Sequence, residues 1–386
     1  MNLIDLDIDQ RLVDALNKDN IIEPTVIQTM AIGAVFSKKS LIIESATGTG
    51  KTFAYLLPIM SQIDTVTDNL QVLILAPTHE LVMQIYELIK CTANEANMPI
   101  RSAGFIGKVH INRQVEKLKV KPHVIVGTPG RILDLFKIKK LKLHNVSTVV
   151  IDEASSLMLS ESRHAVKTIS ASLMRDTQRI FVSALFSDQA KKRVLEICPK
   201  VEHIRAAEKT NSDIQHCYIE ITDSREKFKT LRKFLAAFDK GKTLIFVKKN
   251  PDVAIFANKL EFHKVAVLQL SGEMSKIDRQ KNLAQFENKK DGVLIATAVA
   301  ARGLDIDSVD RVVHYDIPIE SSDYLHRSGR TGRAGRKGIS VAIADSREAR
   351  RLLRITEEAE ISTKRMKMSN GKFCEYIIEN NKLEQK

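Results

Sequence analysis

Tryptophan is absent from this chain of 386 residues, and cysteine is scarce. The four cysteines lie far apart, without the paired spacing of a zinc or redox site, at Cys91, Cys198, Cys217 and Cys374. No apolar run reaches the ~18 residues that a membrane helix needs. The longest, residues 293–301, is interrupted by Thr297. The sequence therefore excludes a small disulfide-stabilised protein and predicts no membrane partner.

A secretory signal is also missing. Residues 1–7 read Met-Asn-Leu-Ile-Asp-Leu-Asp and carry acid where a signal peptide carries Lys or Arg before an apolar core. We therefore expect a cytoplasmic protein.

Positive charge is abundant. The chain has 60 Lys and Arg against 47 Asp and Glu, a formal net charge of +13. Such an excess favours a polyanionic partner, and RNA, DNA and an acidic membrane surface are all compatible with the charge alone.

Short β-branched runs alternate with longer helical patterns along the chain. Strands are predicted at 41–43, 72–75, 124–126, 148–151, 180–182, 243–247, 265–268, 293–296 and 311–314. This alternation predicts an α/β fold with parallel sheets covered by helices on both faces. A polar stretch near 205–212 interrupts this alternation and divides the chain into two parts. We predict a first domain over 1–205, a linker over 206–214, a second domain over 215–358 and a short C-terminal segment over 359–386.

The most specific pattern is a glycine-rich loop directly after the first predicted strand. It reads Ser45-Ala46-Thr47-Gly48-Thr49-Gly50-Lys51-Thr52. Small residues let backbone N–H groups face phosphates at a helix N-terminus, while Lys51 reaches the outer phosphates and the Thr52 hydroxyl binds Mg²⁺. Ser45 stands where the strict pattern has glycine. A turn that merely caps the helix is the alternative to a phosphate site.

Two acids follow the predicted strand at 148–151. Asp152 is the predicted metal ligand and Glu153 the predicted general base, because phosphoryl transfer needs a bound metal and an oriented water. Taken alone, such a pair is more often a solvated turn. Its combination with the phosphate loop favours catalysis.

Four arginines recur at three-residue intervals within His326-Arg327-Ser328-Gly329-Arg330-Thr331-Gly332-Arg333-Ala334-Gly335-Arg336. An arginine that reaches a γ-phosphate from a second domain stabilises the transferred group, which would place ATP between the domains. The alternative is a basic surface patch.

In this order, the motifs resemble those of the DEAD-box ATP-dependent RNA helicases. The resemblance covers nearly the whole chain and is greatest to the short helicases of Gram-positive bacteria of the YfmL type. It implies two tandem RecA-like domains, each a mostly parallel sheet flanked by helices. The other matching segments are 24–28 (Pro-Thr-Val-Ile-Gln), 77–81 (Pro-Thr-His-Glu-Leu), 128–131 (Thr-Pro-Gly-Arg), 244–247 (Leu-Ile-Phe-Val), Thr297 and 301–305 (Ala-Arg-Gly-Leu-Asp).

The resemblance also implies roles for single residues. Gln28 would read the adenine edge, Asp305 would bind the ribose, and Arg330 and Arg333 would be arginine fingers. The residues implied to contact RNA are Thr78, Gly107, Thr128, Arg131, Thr297 and Arg302. Phosphate and sugar contacts carry no sequence information, so binding would be blind to base sequence, and the 2′-hydroxyl would select RNA.

The chain departs from the family pattern at residues that couple ATP to RNA. Ser155 replaces the second Asp of the Asp-Glu-Ala-Asp box, Leu185 replaces the Thr of Ser-Ala-Thr, and Ala298 replaces the Asp of Thr-Asp. In the family, that second acid is linked to the hydroxyls of the motif that begins here at Ser183 and to the position of His326. Three further departures are Ile21, His79 and Lys108.

Two functions of different class follow. The first is an RNA-stimulated ATPase that locally unwinds short RNA duplexes. The second is an ATP-gated RNA clamp or scaffold with weak or uncoupled unwinding. A DNA helicase is less favoured, because Gln28 and the Arg-Gly-Leu-Asp segment point to RNA. Ribosomal precursor particles, common targets of bacterial relatives, are one candidate source of the RNA.

Overall fold

The structure is a computed structural model, and it describes residues 2–19, 21–46, 48–107, 109–206, 213–238, 240–297, 309–332 and 336–376. The chain divides into two compact units, Met1–Glu208 and Lys209–Lys386. Within these described ranges, no helix has both the length and the apolar character needed to cross a membrane.

The first unit is built on a seven-stranded parallel sheet. Its order is β3-β4-β2-β5-β6-β1-β7, so only β3–β4 and β5–β6 pair strands that are neighbours in sequence, and the other pairings join strands that are further apart along the chain. The strands are β1 Leu41–Glu44, β2 Val72–Leu75, β3 Ser102–Phe105, β4 Val124–Gly127, β5 Thr148–Asp152, β6 Gln178–Ser183 and β7 Glu202–Arg205.

Helices supply an apolar layer on each face of this sheet. Ile74 of β2 packs into one core, while Leu73 and Leu75 pack into the other, which is why the strand is apolar at every position. The helices are α1 Gln10–Lys18, α2 Val26–Phe36, α3 Lys51–Ser61, α4 His79–Glu95, α5 Ile111–Lys117, α6 Pro129–Lys137, α7 Ala154–Leu159, α8 Arg163–Ala171 and α9 Asp188–Leu195.

The second unit has an eight-stranded sheet of order β10-β11-β9-β12-β13-β8-β14-β15. Its pairings are parallel except for the β14–β15 hairpin at the edge. The strands are β8 Ile214–Ile221, β9 Lys242–Val247, β10 Val267–Leu270, β11 Gly292–Thr297, β12 Arg311–His314, β13 Gly338–Asp345, β14 Lys364–Ser369 and β15 Lys372–Glu375. The helices in its described part are α10 Lys227–Ala236, α11 Asn250–Phe262, α12 Lys276–Glu287, α13 Ser321–Ser328 and α14 Ser346–Glu358.

The predicted α/β class with two mostly parallel, helix-covered sheets is confirmed. The strand predicted at 265–268 is displaced and runs Val267–Leu270, and β3, β7, β8, β13, β14 and β15 were not predicted. β8 begins inside the predicted linker, of which 207–212 lie outside the described residues. Its sequence, Ile-Gln-His-Cys-Tyr-Ile-Glu-Ile, lacks the continuous β-branched run of the predicted strands, and His216 is buried there with its Nδ1 2.9 Å from the Tyr324 hydroxyl.

Residues 364–375, within the predicted C-terminal segment, form the β14–β15 hairpin. β14 pairs in parallel with β8, so this part of the segment extends the second sheet.

Candidate functional site

The predicted site residues of the first unit meet at one edge of its sheet. Parallel strands place their carboxyl ends on the same side, and each of these residues lies at or just after such an end. In sheet order, Gly107 follows β3, Thr128 and Arg131 follow β4, Thr78 follows β2, Asp152 and Glu153 end β5, Ser183 ends β6, and the phosphate loop follows β1. The order therefore groups the predicted RNA residues on β3, β4 and β2 and the predicted ATP residues on β5 and β1, with the predicted coupling residue Ser183 on β6 between β5 and β1.

The phosphate loop connects β1 to the N-terminus of α3. Gly48 and Gly50 have φ values of 82° and 87°, a region that favours glycine. Any Cβ on Gly50 would also lie 2.5 Å from Gln28 Nε2. Lys51 Nζ donates to the carbonyls of Ser45 and Ala46, at 2.7 and 2.6 Å, so its ammonium group lies at the loop.

Gln28 joins α2 to the loop. It is 3% exposed; its Oε1 accepts from Thr25 N at 2.9 Å, and its Nε2 donates to Gly50 O at 3.1 Å. A primary amide has two donor hydrogens and two acceptor lone pairs. One of each remains, which is the combination that pairs with an adenine edge.

The two acids occupy different environments at the end of β5. Asp152 is 5% exposed, and its Oδ1 accepts from Glu153 N at 2.8 Å. Burial, followed by the charge of Glu153, raises the pKa of Asp152 to about 6. Glu153 is half-buried at the start of α7 with φ 51° and ψ 45°, a conformation that costs on the order of 1 kcal/mol or more for a residue with a Cβ. Such strain is typical of active sites.

Tyr55 is a site residue that the sequence analysis missed. It is fully buried on α3, and its hydroxyl donates to Asp152 Oδ2 at 2.8 Å. Burial, then the Asp152 charge, raises the pKa of Tyr55, so the phenol stays protonated and donates. The only sequence signal was its position four residues after Lys51, one turn along the helix.

On the other half of the edge, Arg131 has a buried and poorly satisfied guanidinium. Its side chain is 11% exposed, and its Nε lies 4.0 Å from Asp134 Oδ2, beyond hydrogen-bonding distance. Nε and Nη1 have no hydrogen-bond partner among the described residues. An anion would satisfy these donors.

Thr78 and Gly107 follow β2 and β3, which are the two neighbours in the sheet of β4, the strand that precedes Arg131. Thr78 caps α4, where its Oγ1 accepts from Leu81 N at 3.2 Å. A Cβ on Gly107 would lie 3.1 Å from His79 Nε2, so the two predicted RNA motifs are adjacent.

Comparison with known proteins identifies the family. Residues 25–193 match the DEAD/DEAH box helicase model, and residues 226–335 match the helicase conserved C-terminal domain. The chain is 38% identical over 353 residues to a probable ATP-dependent RNA helicase, YfmL of Bacillus subtilis, covering 91% of this chain and 93% of YfmL. The chain is a DEAD-box ATP-dependent RNA helicase.

A second relative and a solved structure agree with this assignment. CshC of Bacillus cereus, a DEAD-box ATP-dependent RNA helicase, is 39% identical over 366 residues, which cover 94% of this chain and 93% of CshC. Saccharomyces cerevisiae Dbp5, solved bound to RNA and ADP BeF3, superimposes with a TM-score of 0.80 at 27% identity, covering 94% of both chains. The predicted family, fold and enzyme class are confirmed.

In this DEAD-box protein, the two altered motifs of the first unit contact each other. The Ser155 hydroxyl donates to the backbone carbonyl of Leu185, and the Ser183 hydroxyl donates to the same carbonyl at 3.2 Å. Leu185 is half-buried. The bond from Ser155 uses the backbone rather than the side chain at position 185, and so it survives the replacement of threonine by leucine.

In the second unit, three predicted residues fall within the described part. Thr297 ends β11 and donates to Asn250 Oδ1 at 3.3 Å, His326 is buried on α13, and Arg330 is half-buried just after it. Six further residues with predicted roles or departures lie outside the described residues: Thr47, Lys108, Ala298, Arg302, Asp305 and Arg333.

Proposed function

We propose that this helicase hydrolyses ATP at the edge of the first sheet and uses it to bind, remodel and locally unwind RNA without base-sequence specificity. The observation that supports this most is the sheet order, which sets the predicted nucleotide residues of β1 and β5 and the predicted coupling residue of β6 on one half of the edge, beside the predicted RNA residues of β2, β3 and β4. ATP turnover with and without RNA, measured beside duplex separation, tests it. Turnover that RNA does not change would contradict coupling.

The residues fit distinct steps of hydrolysis. Lys51 would exchange its two carbonyl partners for phosphate oxygens and hold them as a point charge. Glu153, at the strained start of α7, would accept the proton of the attacking water. Arg330 and Arg333 are proposed as arginine fingers that stabilise the charge on the transferred group.

Thr52 and Asp152 are proposed to hold Mg²⁺. A hydroxyl and a carboxylate are the hard oxygen ligands that this ion prefers. No cluster of three or more His, Cys, Asp or Glu side chains suited to a metal occurs in the described ranges. That agrees with an ion bound through one carboxylate and the substrate phosphates. When bound, Mg²⁺ would neutralise charge on the phosphates.

Tyr55→Phe should weaken Mg²⁺-dependent ADP binding about tenfold and leave ADP binding in EDTA unchanged. The phenol stabilises the charged form of Asp152 by a hydrogen bond, and a bond to a charged group contributes roughly 1.5–3 kcal/mol. Without it, the pKa of Asp152 rises and protons compete with the metal at neutral pH. Fluorescent ADP titrations at several Mg²⁺ concentrations measure this. Tyr324→Phe, which removes a buried phenol hydroxyl from the other unit, is the control; an equal loss in both variants would contradict the role.

RNA affinity should fall steeply with salt, vary little among base sequences and rise with a non-hydrolysable ATP analogue. Phosphate contacts, such as the one proposed for Arg131, release counterions and ignore base identity. Arg131→Ala should weaken binding to all sequences alike and reduce the salt slope by about 0.7. Fluorescence anisotropy with oligouridine and oligoadenine measures both. A strong preference for one sequence would contradict this prediction.

A second candidate function, an ATP-gated clamp with weak unwinding, is favoured by the replacement of the coupling carboxylate by Ser155. We also propose a cytoplasmic location and ribosomal precursor particles as one source of the RNA. Sedimentation of the protein with such particles from cell extract tests that target.

A further inference from the structure

A groove of about 540 Å³ on the second unit carries a cluster of positive charges. We call it the α10 groove. Lys229, Arg232, Lys233 and Arg311 line it, with one carboxylate, Asp291. Its walls also contain apolar side chains, among them Phe238. None of these residues belongs to a helicase motif identified above.

The α10 groove lies at the edge of the second sheet opposite to the motifs. It is lined by the amino ends of neighbouring strands, through Thr243 of β9, Gly292 of β11 and Arg311 of β12. Thr297 ends β11 at the other edge. A strand from Gly292 to Thr297 spans roughly 16 Å at about 3.3 Å per residue. An occupant of the groove therefore does not compete with a ligand at Thr297.

The floor of the α10 groove is rigid and charged. Arg311 is 7% exposed and donates to Lys240 O at 2.7 Å and to Thr243 Oγ1 at 3.0 Å. Its guanidinium lies 4.6 Å from the centre of the Phe238 ring. Asp291 accepts from the backbone N–H of Gly241. The one carboxylate of the lining thus has a structural role at the strand start.

The rim of the α10 groove carries like charges that repel one another. Lys229 and Lys233 are exposed and lie four residues apart on α10, where like charges destabilise a helix by a few tenths of a kcal/mol. Arg232 Nη1 lies 3.3 Å from His263 Nε2, which brings a ring to the same rim. A polyanion would relieve this repulsion.

An exposed aromatic ring lies next to His263, the rim residue that contacts Arg232. Phe262, at the end of α11, is 84% exposed, and its ring centre is 5.3 Å from that of His263. A single exposed phenylalanine carries no meaning alone. An exposed ring beside several cations is the combination with which proteins bind single-stranded nucleic acid, by stacking bases and tracking phosphates.

We propose that the α10 groove, with Phe262 and His263 at its rim, is a second binding site for single-stranded RNA. Lys229, Arg232 and Lys233 contact phosphates, and a base stacks on Phe262. The site holds a strand outside the helicase motifs and has no base preference. It rests on the proposed function, since the strand bound is an extension of the RNA acted upon.

The test compares an oligouridine about 10 nucleotides long with one of about 40, by anisotropy on the full chain. The test variant combines Lys229→Ala, Lys233→Ala and Phe262→Ala. The matched control combines Arg347→Ala, Arg350→Ala and Ile277→Ala, which also removes two exposed cations and one exposed apolar side chain from the second unit. Cross-linking with 4-thiouridine, mapped to the peptide containing Phe262, gives an independent readout in the unmodified chain.

The test variant should bind the long strand about tenfold more weakly, with a salt slope smaller by about 1.4, while the control binds like the parent. Affinity for the short strand and ATPase stimulation by it should be unchanged. Equal behaviour of both variants on the long strand, with no cross-link at Phe262, would overturn the site. So would binding of a labelled Glu- and Phe-rich peptide that is lost in the test variant while RNA binding is kept. If the short strand fails to stimulate the parent ATPase, it is the proposed function that fails.

Discussion

Lys51→Ala and Glu153→Gln should each lower ATP turnover by at least ~10²-fold, the largest effects that we expect from single substitutions in this helicase. Lys51 is the ammonium group at the phosphate loop, and its removal leaves the outer phosphates without their point charge. Glu153→Gln keeps the size of the side chain but cannot accept a proton. Steady-state phosphate release, at saturating ATP and RNA, measures both.

The two variants should differ in binding. Lys51→Ala should lose nucleotide affinity as well as turnover, whereas Glu153→Gln should keep it, because the base acts only in the chemical step. Lys90→Ala and Glu95→Gln are the matched controls: they remove an ammonium group and a carboxylate from the exposed surface of α4, and they should leave turnover unchanged. Turnover at the parent rate in Glu153→Gln, in protein free of contaminating ATPase, would show that another group is the base.

The second large effect concerns the two altered motifs. Ser155→Asp combined with Leu185→Thr should raise duplex separation several-fold and ATPase activity by a smaller factor. The gain in duplex separation should exceed the sum of the gains from the two single changes. In the present chain the Ser155 hydroxyl donates to the Leu185 carbonyl. An aspartate alone would set a carboxylate against that acceptor, an arrangement without a hydrogen bond. A threonine at 185 would supply a hydroxyl donor, so the changes depend on each other.

Ser155→Asp with Leu185→Val is the control, because valine has the shape of threonine without the hydroxyl. It should behave like Ser155→Asp alone, with weak unwinding. Ser155→Ala tests the present bond: if the contact between the motifs carries coupling, RNA stimulation of the ATPase should fall further. Strong unwinding by the unmodified chain, unaltered by the double restoration, would show that the network is dispensable here.

The sequence by itself determined the class of fold and the local chemistry. Alternating strand and helix patterns predicted the parallel sheets, and the residues from Ser45 to Thr52 predicted a loop whose glycines do take positive φ values. These features are encoded by adjacent residues, because backbone freedom and a helix N-terminus are properties of a few consecutive positions. Strand β8 was not predicted for the converse reason, since its buried His216 depends on a hydrogen-bond partner far away in sequence.

Only the tertiary structure decided which residues meet. Tyr55 bonds Asp152 across 97 residues, Ser155 bonds Leu185 across 30, and Gln28 bonds Gly50 across 22. The first two contacts depend on the order β3-β4-β2-β5-β6-β1-β7, which brings β5, β6 and β1 side by side, whereas the third joins the two helices that flank β1 in sequence. That order is set by how crossovers pack helices on both faces of a sheet, and the residues of any one motif carry no record of it.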